Sequence, residues 1–421
     1  MAAFVVIGGG AAGFFAAITA AEAGLKDILI LEKGPEVLTK VKISGGGRCN
    51  VTHSCFEARD LVKFYPRGEK SLRGPFSRFQ AADTVAWFRA HGVELKTEAD
   101  GRMFPVSNCS QTVIDCLTET ARELGVVWRT GCGVSAVEQV AEGGYRLTTT
   151  TGEVLSAERL LVATGGSRTR QARQPADDLQ LTMEAPTPSL FTFKIRDERI
   201  EGLQGASVPW ARVKVGKLAE EGPLLVTHWG LSGPAILKLS AWGARELAAE
   251  NYEFELKVNW LGGRSQEEAR IVLEKSVNDY GARKIQGRSP FEGLPKRIWQ
   301  RLAAAAAVGE EQTWANLQKK QREALLRELC EGRFSVVGKS LNKDEFVTCG
   351  GVPLKAVNLR TMESRQAPGL YFAGEILDID GVTGGFNFQG AWTTGYLAGK
   401  EAARASLDEQ KGFVPFSEVE R

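Results

Sequence analysis

The sequence predicts an α/β fold in which both ends of the chain build one parallel-sheet domain and the middle forms an insertion. Three observations carry this. Residues 4–7 are a β-branched run, residues 8–13 are glycine-rich, residues 11–23 read as a helix, and residues 28–31 are a second buried run ending at Glu32. Together they make a β-α-β unit. From Gly369 the same texture returns, with a strand at 370–373, a Gly-rich turn and a helix through Ala398. Between these ends, Tyr252, Phe254, Leu256, Val258 and Trp260 alternate with Glu253, Glu255, Lys257 and Asn259. Period two means one buried and one wet face, as in an antiparallel sheet.

The remaining elements follow in order. Residues 82–91 and 111–124 are helical by periodicity. Residues 134–140 and 145–150 read as strands joined through 142–144 as a hairpin, and 159–163 as another strand. After about residue 185, Pro186, Pro188 and Pro209 punctuate short strands such as 190–195. Residues 265–330 are helical, including 302–308 and the charged stretch 318–329. The expected domains are 1–185 with 346–421, an inserted antiparallel β domain at 186–264 with 331–345, and a helical subdomain at 265–330.

Composition narrows the function. The chain has 421 residues, 53 basic and 51 acidic, for a net charge of +2. That balance argues against a nucleic-acid or membrane partner and for a small-molecule substrate. The first apolar run has no basic region before it and breaks at Gly8, and nowhere do eighteen apolar residues run without a charge. A cytoplasmic location is expected. Seven cysteines at irregular spacing contain no CxxC, and His53, His91 and His228 stand alone. No redox dithiol or metal site is expected, and the cysteines read as reduced, mostly buried thiols. Oligomeric state is not legible.

The glycine clusters carry the chemistry. Gly8-x-Gly10-x-x-Gly13 lies between strand and helix, with Glu32 nineteen residues beyond Gly13. This is the dinucleotide fingerprint of a Rossmann-like unit. Gly8 allows the tight turn, Gly10 lets a pyrophosphate approach the backbone, and Gly13 lets helix and strand pack closely. The amides at Ala11 and Ala12 open the helix, where phosphate is favoured. Glu32 suits a ribose diol. A structural turn that binds nothing is the alternative.

Three longer blocks point further. Lys42-Ile43-Ser44-Gly45-Gly46-Gly47-Arg48-Cys49-Asn50, the segment from Thr227 to Ala235 containing His228 and Trp229, and the segment from Gly374 to Gln389 occur in this order. The chain resembles, from residue 4 to about 400, the BaiN-like (YhiN-type) FAD-dependent oxidoreductases, a family also described as aminoacetone-oxidase-like. The resemblance implies a flavoprotein of the two-dinucleotide-binding-domain type, with a β-barrel-like insertion and a helical subdomain. It implies FAD contacts at Gly8, Gly10, Ala11, Ala12, Gly13, Glu32, Lys33, Lys42, Ser44, Gly45, Gly46, Gly47, Arg48, Asn50 and Val134. It extends them to Ala163, Thr164, Gly165, Gly166, Gly374, Glu375, Asp378, Gly384, Gly385, Phe386 and Asn387. One departure stands out: the Gly-rich stretch that family members carry after the Ala163–Gly166 motif is not recognisable between Ser167 and Pro175.

Within these blocks, Gly45–Gly47 can present successive amides as an anion nest. Arg48 pairs with phosphate or substrate, or braces its loop. Asp378 and Asp380 serve the ribityl chain or a cation, or lie in a solvated loop. The helix after Gly385 offers its dipole to the reduced ring. Candidate reactive groups are Arg48, Cys49 with a lowered pKa, and His53 and His228 as proton donors. Trp229 and Phe386 read as wall residues. The expected reaction passes hydride through flavin N5 to reduce an activated C=C; the family resemblance implies NAD(P)H as donor, and the missing second GxGxxG implies that it docks transiently. The rivals are an oxygen-using oxidase of amine type, a non-catalytic flavin sensor and, less favoured on charge, an RNA-modifying enzyme.

Overall fold

The computed structural model describes residues 2–340 and 347–412. The chain forms two compact units, Met1–Thr187 with Val347–Arg421, and Pro188–Phe346. The expected boundary at 345/346 falls outside the described residues.

In the first unit, strand Ala2–Ile7 is central. It pairs in parallel with Ile28–Leu31 on one side and Val154–Val162 on the other, and Leu370–Phe372 joins in parallel beyond the latter. Val127–Arg129 extends the sheet beside Ile28–Leu31. Phe4, Val5 and Val6 are fully buried, which is why a parallel strand covered on both faces reads as an unbroken apolar run. The hairpin Val134–Gln139 and Tyr145–Thr149 forms as expected. The next strand begins at Val154 rather than 159, because its first half pairs antiparallel with the hairpin and only its second half joins the parallel sheet.

The closing helix Phe386–Gly412 runs well past Ala398 and packs on the first helix, Ala11–Glu22. Two glycines make that contact close. A Cβ on Gly395 would lie 2.7 Å from the Ala12 carbonyl oxygen, and one on Gly399 would overlap that of Ala16.

The second unit is a closed six-stranded barrel of antiparallel pairs, in the order Thr192–Ile195, Gly230–Ser232, Leu218–Val226, Ser207–Val215, Glu253–Asn259, Gly332–Ser340. Phe193, Val213, Leu231, Leu256, Val258 and Phe334 are among its buried residues. Helices Gln266–Tyr280, Lys296–Ala305 and Lys319–Glu331 pack their apolar faces into the same core. The alanine-rich run ends earlier than the expected residue 308. Ala307 takes a left-handed φ of 59°, and the Val308 amide donates back to the Ala303 carbonyl at 3.0 Å, which closes the last turn. No helix among the described residues is long and apolar enough to cross a membrane.

Candidate active site

The glycine turn of the first unit is shaped by close approaches. Gly8 has φ 114°, and a Cβ there would overlap the Ala163 carbonyl; a Cβ on Gly13 would overlap the Gly8 carbonyl. Gly10 differs: a Cβ there would meet no atom within 4 Å. Two glycines close the turn and the third faces open space. Gly10 precedes the helix with no side chain capping it and no acidic residue in the first turn. The amides of Ala11 and Ala12 open this helix, in the position where phosphate is stabilised.

Glu32 does more than its position implied. Its two carboxylate oxygens accept from the Gly9 amide at 2.8 Å and the Gly34 amide at 2.7 Å. It ties the glycine turn to the loop after the second strand, and its remaining lone pairs are what a ribose could reach. Lys33 is exposed beside it, and Val134 is buried at the start of its hairpin.

The second glycine motif lies alongside. The Ala163 amide donates to the Ile7 carbonyl at 2.8 Å, and Thr164 Oγ1 donates to the Ala172 carbonyl at 2.9 Å. Gly165 has φ 77° with open space at its Cβ position. The segment that departs from the family's Gly-rich stretch forms the helix Arg170–Asp178, N-capped by Thr169. Ser167 is fully buried, and its Oγ has no protein partner among the described residues. Buried hydroxyls are ordinarily satisfied, so this one suits a bound polar group.

The Ser44–Asn50 block is a left-handed loop. The helix starting at Thr39 breaks at Ser44, and Gly45, Gly46 and Gly47 take φ of 57°, 69° and 82°. Such values favour glycine. Gly46 and Gly47 face open space. Arg48 reaches Glu98 at 2.7 Å and lies 4.0 Å over the Phe104 ring, so of its two readings the loop brace is the one its contacts express. Lys42 pairs with Glu36 at 2.8 Å. Cys49 overturns the expected low pKa. It is fully buried, and burial pushes its thiol up to about 12 against a weaker opposing hydrogen bond with Ser44. It has no thiolate to offer near neutral pH.

The Gly374–Gln389 block is held by distant partners. The Gly374 amide donates to Thr394 Oγ1 at 2.8 Å. Glu375 accepts from Lys40 Nζ at 2.5 Å and from the Thr348 amide at 2.9 Å. Asp378 accepts from the Gly350 amide at 2.8 Å. Asp380 is buried and ion-paired with Arg67, which corrects the solvated-loop alternative. Asn387 clamps Gly381 through both backbone groups at 2.8 Å. Asn50, in the amide orientation that satisfies its neighbours, accepts from the Gly385 amide at 2.9 Å and donates to the Thr52 carbonyl at 3.0 Å. A Cβ on Gly384 would meet the Phe386 ring, 2.9 Å from its nearest atom. Phe386 packs against His53 at 4.7 Å and Phe64 at 4.3 Å, and those two rings lie 5.8 Å from each other, so the three form a triangular cluster. His53 Nε2 lies 3.1 Å from the Asp100 carbonyl.

Sequence reasoning missed the hub beneath this turn. Gln389, fully buried, accepts from Thr52 Oγ1 at 2.6 Å and Thr84 Oγ1 at 2.9 Å and donates to Thr393 Oγ1 at 3.1 Å. Its only signal was a glutamine inside an otherwise apolar helical stretch. His228 and Trp229 belong to the second unit, both exposed on a turn closed by the Thr227 amide donating to the Gly230 carbonyl at 2.8 Å. Five of the seven cysteines are buried and none forms a disulfide.

Comparison with known proteins identifies the family. A family model described as the HI0933-like protein Rossmann domain matches residues 2–401. The ribosomal RNA dihydrouridine synthase of Escherichia coli is 29% identical over 414 residues, covering 96% of this chain and 98% of that protein. The 3-dehydro-bile acid delta(4,6)-reductase of Clostridium scindens is 29% identical over 420 residues, covering 94% and 98%. Among solved structures, an open flavocytochrome c3 fumarate reductase has a TM-score of 0.51 at 17% identity, covering 97% of this chain and 79% of that one. The 3-ketosteroid delta1-dehydrogenase of Sterolibacterium denitrificans also has a TM-score of 0.51, at 13% identity, covering 96% and 99%. These two likenesses are of fold. The chain belongs to the HI0933-like family and is an FAD-dependent oxidoreductase.

Proposed function

We propose that the enzyme reduces a carbon–carbon double bond conjugated to a carbonyl, with a reduced nicotinamide dinucleotide as donor. One observation carries the reading. Two relatives matched over nearly their whole length, one named a ribosomal RNA dihydrouridine synthase and the other a 3-dehydro-bile acid delta(4,6)-reductase, carry names that both denote saturation of a ring double bond.

FAD, when bound, supplies a reversible two-electron hydride centre. Gly8, Gly10 and Gly13 with the amides of Ala11 and Ala12 would hold its pyrophosphate, and Glu32 its ribose. Gly45–Gly47, Ala163–Gly166 and Gly374–Asn387 would line the remainder. The open space at Gly10, Gly46 and Gly165 and the unpartnered Ser167 hydroxyl support this assignment. Asn50 and Asn387 fix the turn before the closing helix, so its N-terminal amides are aimed before any ligand arrives. Reduction adds a hydride and a proton across the bond. His53 is held in its ring cluster, and Cys49 is buried.

A second reading places the double bond in a uracil ring of RNA. It is favoured by the uneven distribution of charge: residues 283–301 contain six basic residues and one acidic, a local excess that the balanced total conceals.

An anaerobic titration with NADH and NADPH, followed by the visible flavin band, tests the proposal. Prompt bleaching, then recovery of the band on adding a conjugated enone but not its saturated counterpart, is expected. A band that persists through both titrations overturns the nicotinamide donor. Recovery only with oxygen overturns C=C reduction in favour of an oxidase.

A further inference from the structure

The inserted unit carries a cleft of about 110 Å³. It lies where barrel strand Ser207–Val215 meets the turn after Glu253–Asn259 and the loop around Phe291. Trp210 lines it and is 54% exposed, which barrel packing does not require.

That exposure is constructed. The register of Ser207–Val215 against its neighbour shifts between Val208 and Ala211, placing Pro209 and Trp210 in a bulge. Bulges re-aim side chains. Gly262, with φ 67°, leaves room for the indole: a Cβ there would overlap Trp210 Cδ1. Gly293, with φ 78°, allows its loop to close on Pro209, whose Cγ would lie 3.0 Å from a Cβ at that position. The ring is therefore seated on bare backbone with more than half its surface in solvent. Buried Trp260 also lines the cleft, and its indole N–H has no protein acceptor among the described residues.

One cation lines the cleft, and others flank its Phe291–Gly293 loop along the chain. Arg264 lines the cleft, its guanidinium 5.9 Å from the Phe291 ring centroid. The basic residues of the 283–301 stretch are all exposed. Some are engaged: Lys284 pairs with Glu311, and Arg297 and Arg301 donate to the Gly202 and Glu201 carbonyls. Arg288 and Lys296 have no ion pair among the described residues. The single acidic residue, Glu292, lies in the cleft itself, where it can accept from an N–H on a base edge.

We infer that this cleft takes an unpaired base of an RNA strand, stacked on Trp210, with the strand's phosphates on Arg264, Arg288 and Lys296. An open aromatic face beside unpaired cations is the arrangement that holds single strands. The inference rests on the RNA reading above and names a docking site for it on the inserted unit.

The test is binding of a fluorescent single-stranded oligoribonucleotide to the FAD-loaded enzyme at several salt concentrations. Trp210→Ala is expected to weaken binding by roughly 10-fold. Arg288→Gln with Lys296→Gln is expected to flatten the log Kd against log salt slope by about 1.4, the loss of two phosphate contacts on a single strand. Melting temperature and flavin content confirm that each variant is folded. Wild-type binding left unchanged by both variants overturns the inference while the RNA reading stands. An absence of salt-dependent binding by wild type overturns both. A changed oligomeric state in Trp210→Ala with unchanged RNA affinity also overturns it, since the face is then a self-contact.

Discussion

One added methyl group distinguishes the two duties of the glycine turn. At Gly13 the new Cβ would overlap the Gly8 carbonyl, so helix and strand must part. Gly13→Ala should cost about 1–3 kcal/mol of stability and lower flavin content together. At Gly10 the same Cβ meets no protein atom. Gly10→Ala should leave the melting temperature of the apoprotein nearly unchanged and still lower FAD affinity, because the methyl occupies the space a pyrophosphate approaches. Thermal melts of apoprotein and flavin absorbance of the purified variants check both. The turn was legible because its logic is local, spanning residues 8–32. The two amides bonded to Glu32 were not, because nothing in the spacing says which donors a carboxylate will find first. Cys49 was misread for a similar reason: Arg48 beside it in sequence turns away to Glu98, and burial sets the thiol.

At the scale of elements, the contact between the first and closing helices is the most sensitive. Gly395 and Gly399 stand four residues apart on one face and meet the carbonyls of Ala12 and Ala16. Gly399→Ala should force these helices apart, costing about 1–3 kcal/mol and shifting the denaturant midpoint with little change of slope. The first helix opens at the glycine turn, so weaker flavin retention should accompany the shift. The sequence made the helices legible through periodicity, and it made the barrel legible through alternation. It left the Gln389 hub unread, because Thr52 and Thr84 lie more than three hundred residues from it along the chain. The strand from Val154 was shortened in reading because its first half is a half-wet hairpin partner, without the apolar run of its second half.

For the whole molecule, buried weak acids set the alkaline limit. Burial pushes the thiols of Cys49 and Cys116 up to about 12 and that of Cys330 to about 11. Each keeps its proton in the folded state after the unfolded chain, titrating near 9.0, has lost it. The folded state then binds more protons, so stability falls as pH rises from about 9 towards 12. Denaturant midpoints should be flat around neutrality and decline above about 9, less steeply in Cys49→Ala and Cys116→Ala. An unchanged decline in both variants would place the limit elsewhere.

The threading of the chain has a consequence for biosynthesis. Residues 188–346 are contiguous, so the barrel can close while the rest is still being translated. The first unit cannot: its strand Leu370–Phe372, the Gly374–Asn387 turn and the closing helix all leave the ribosome after the barrel. Completion of the first unit therefore follows synthesis of the barrel. A nascent chain waits with the sheet of its first unit unfinished and the Val154–Val162 edge open, a state that depends on speed of completion or on a chaperone to escape aggregation.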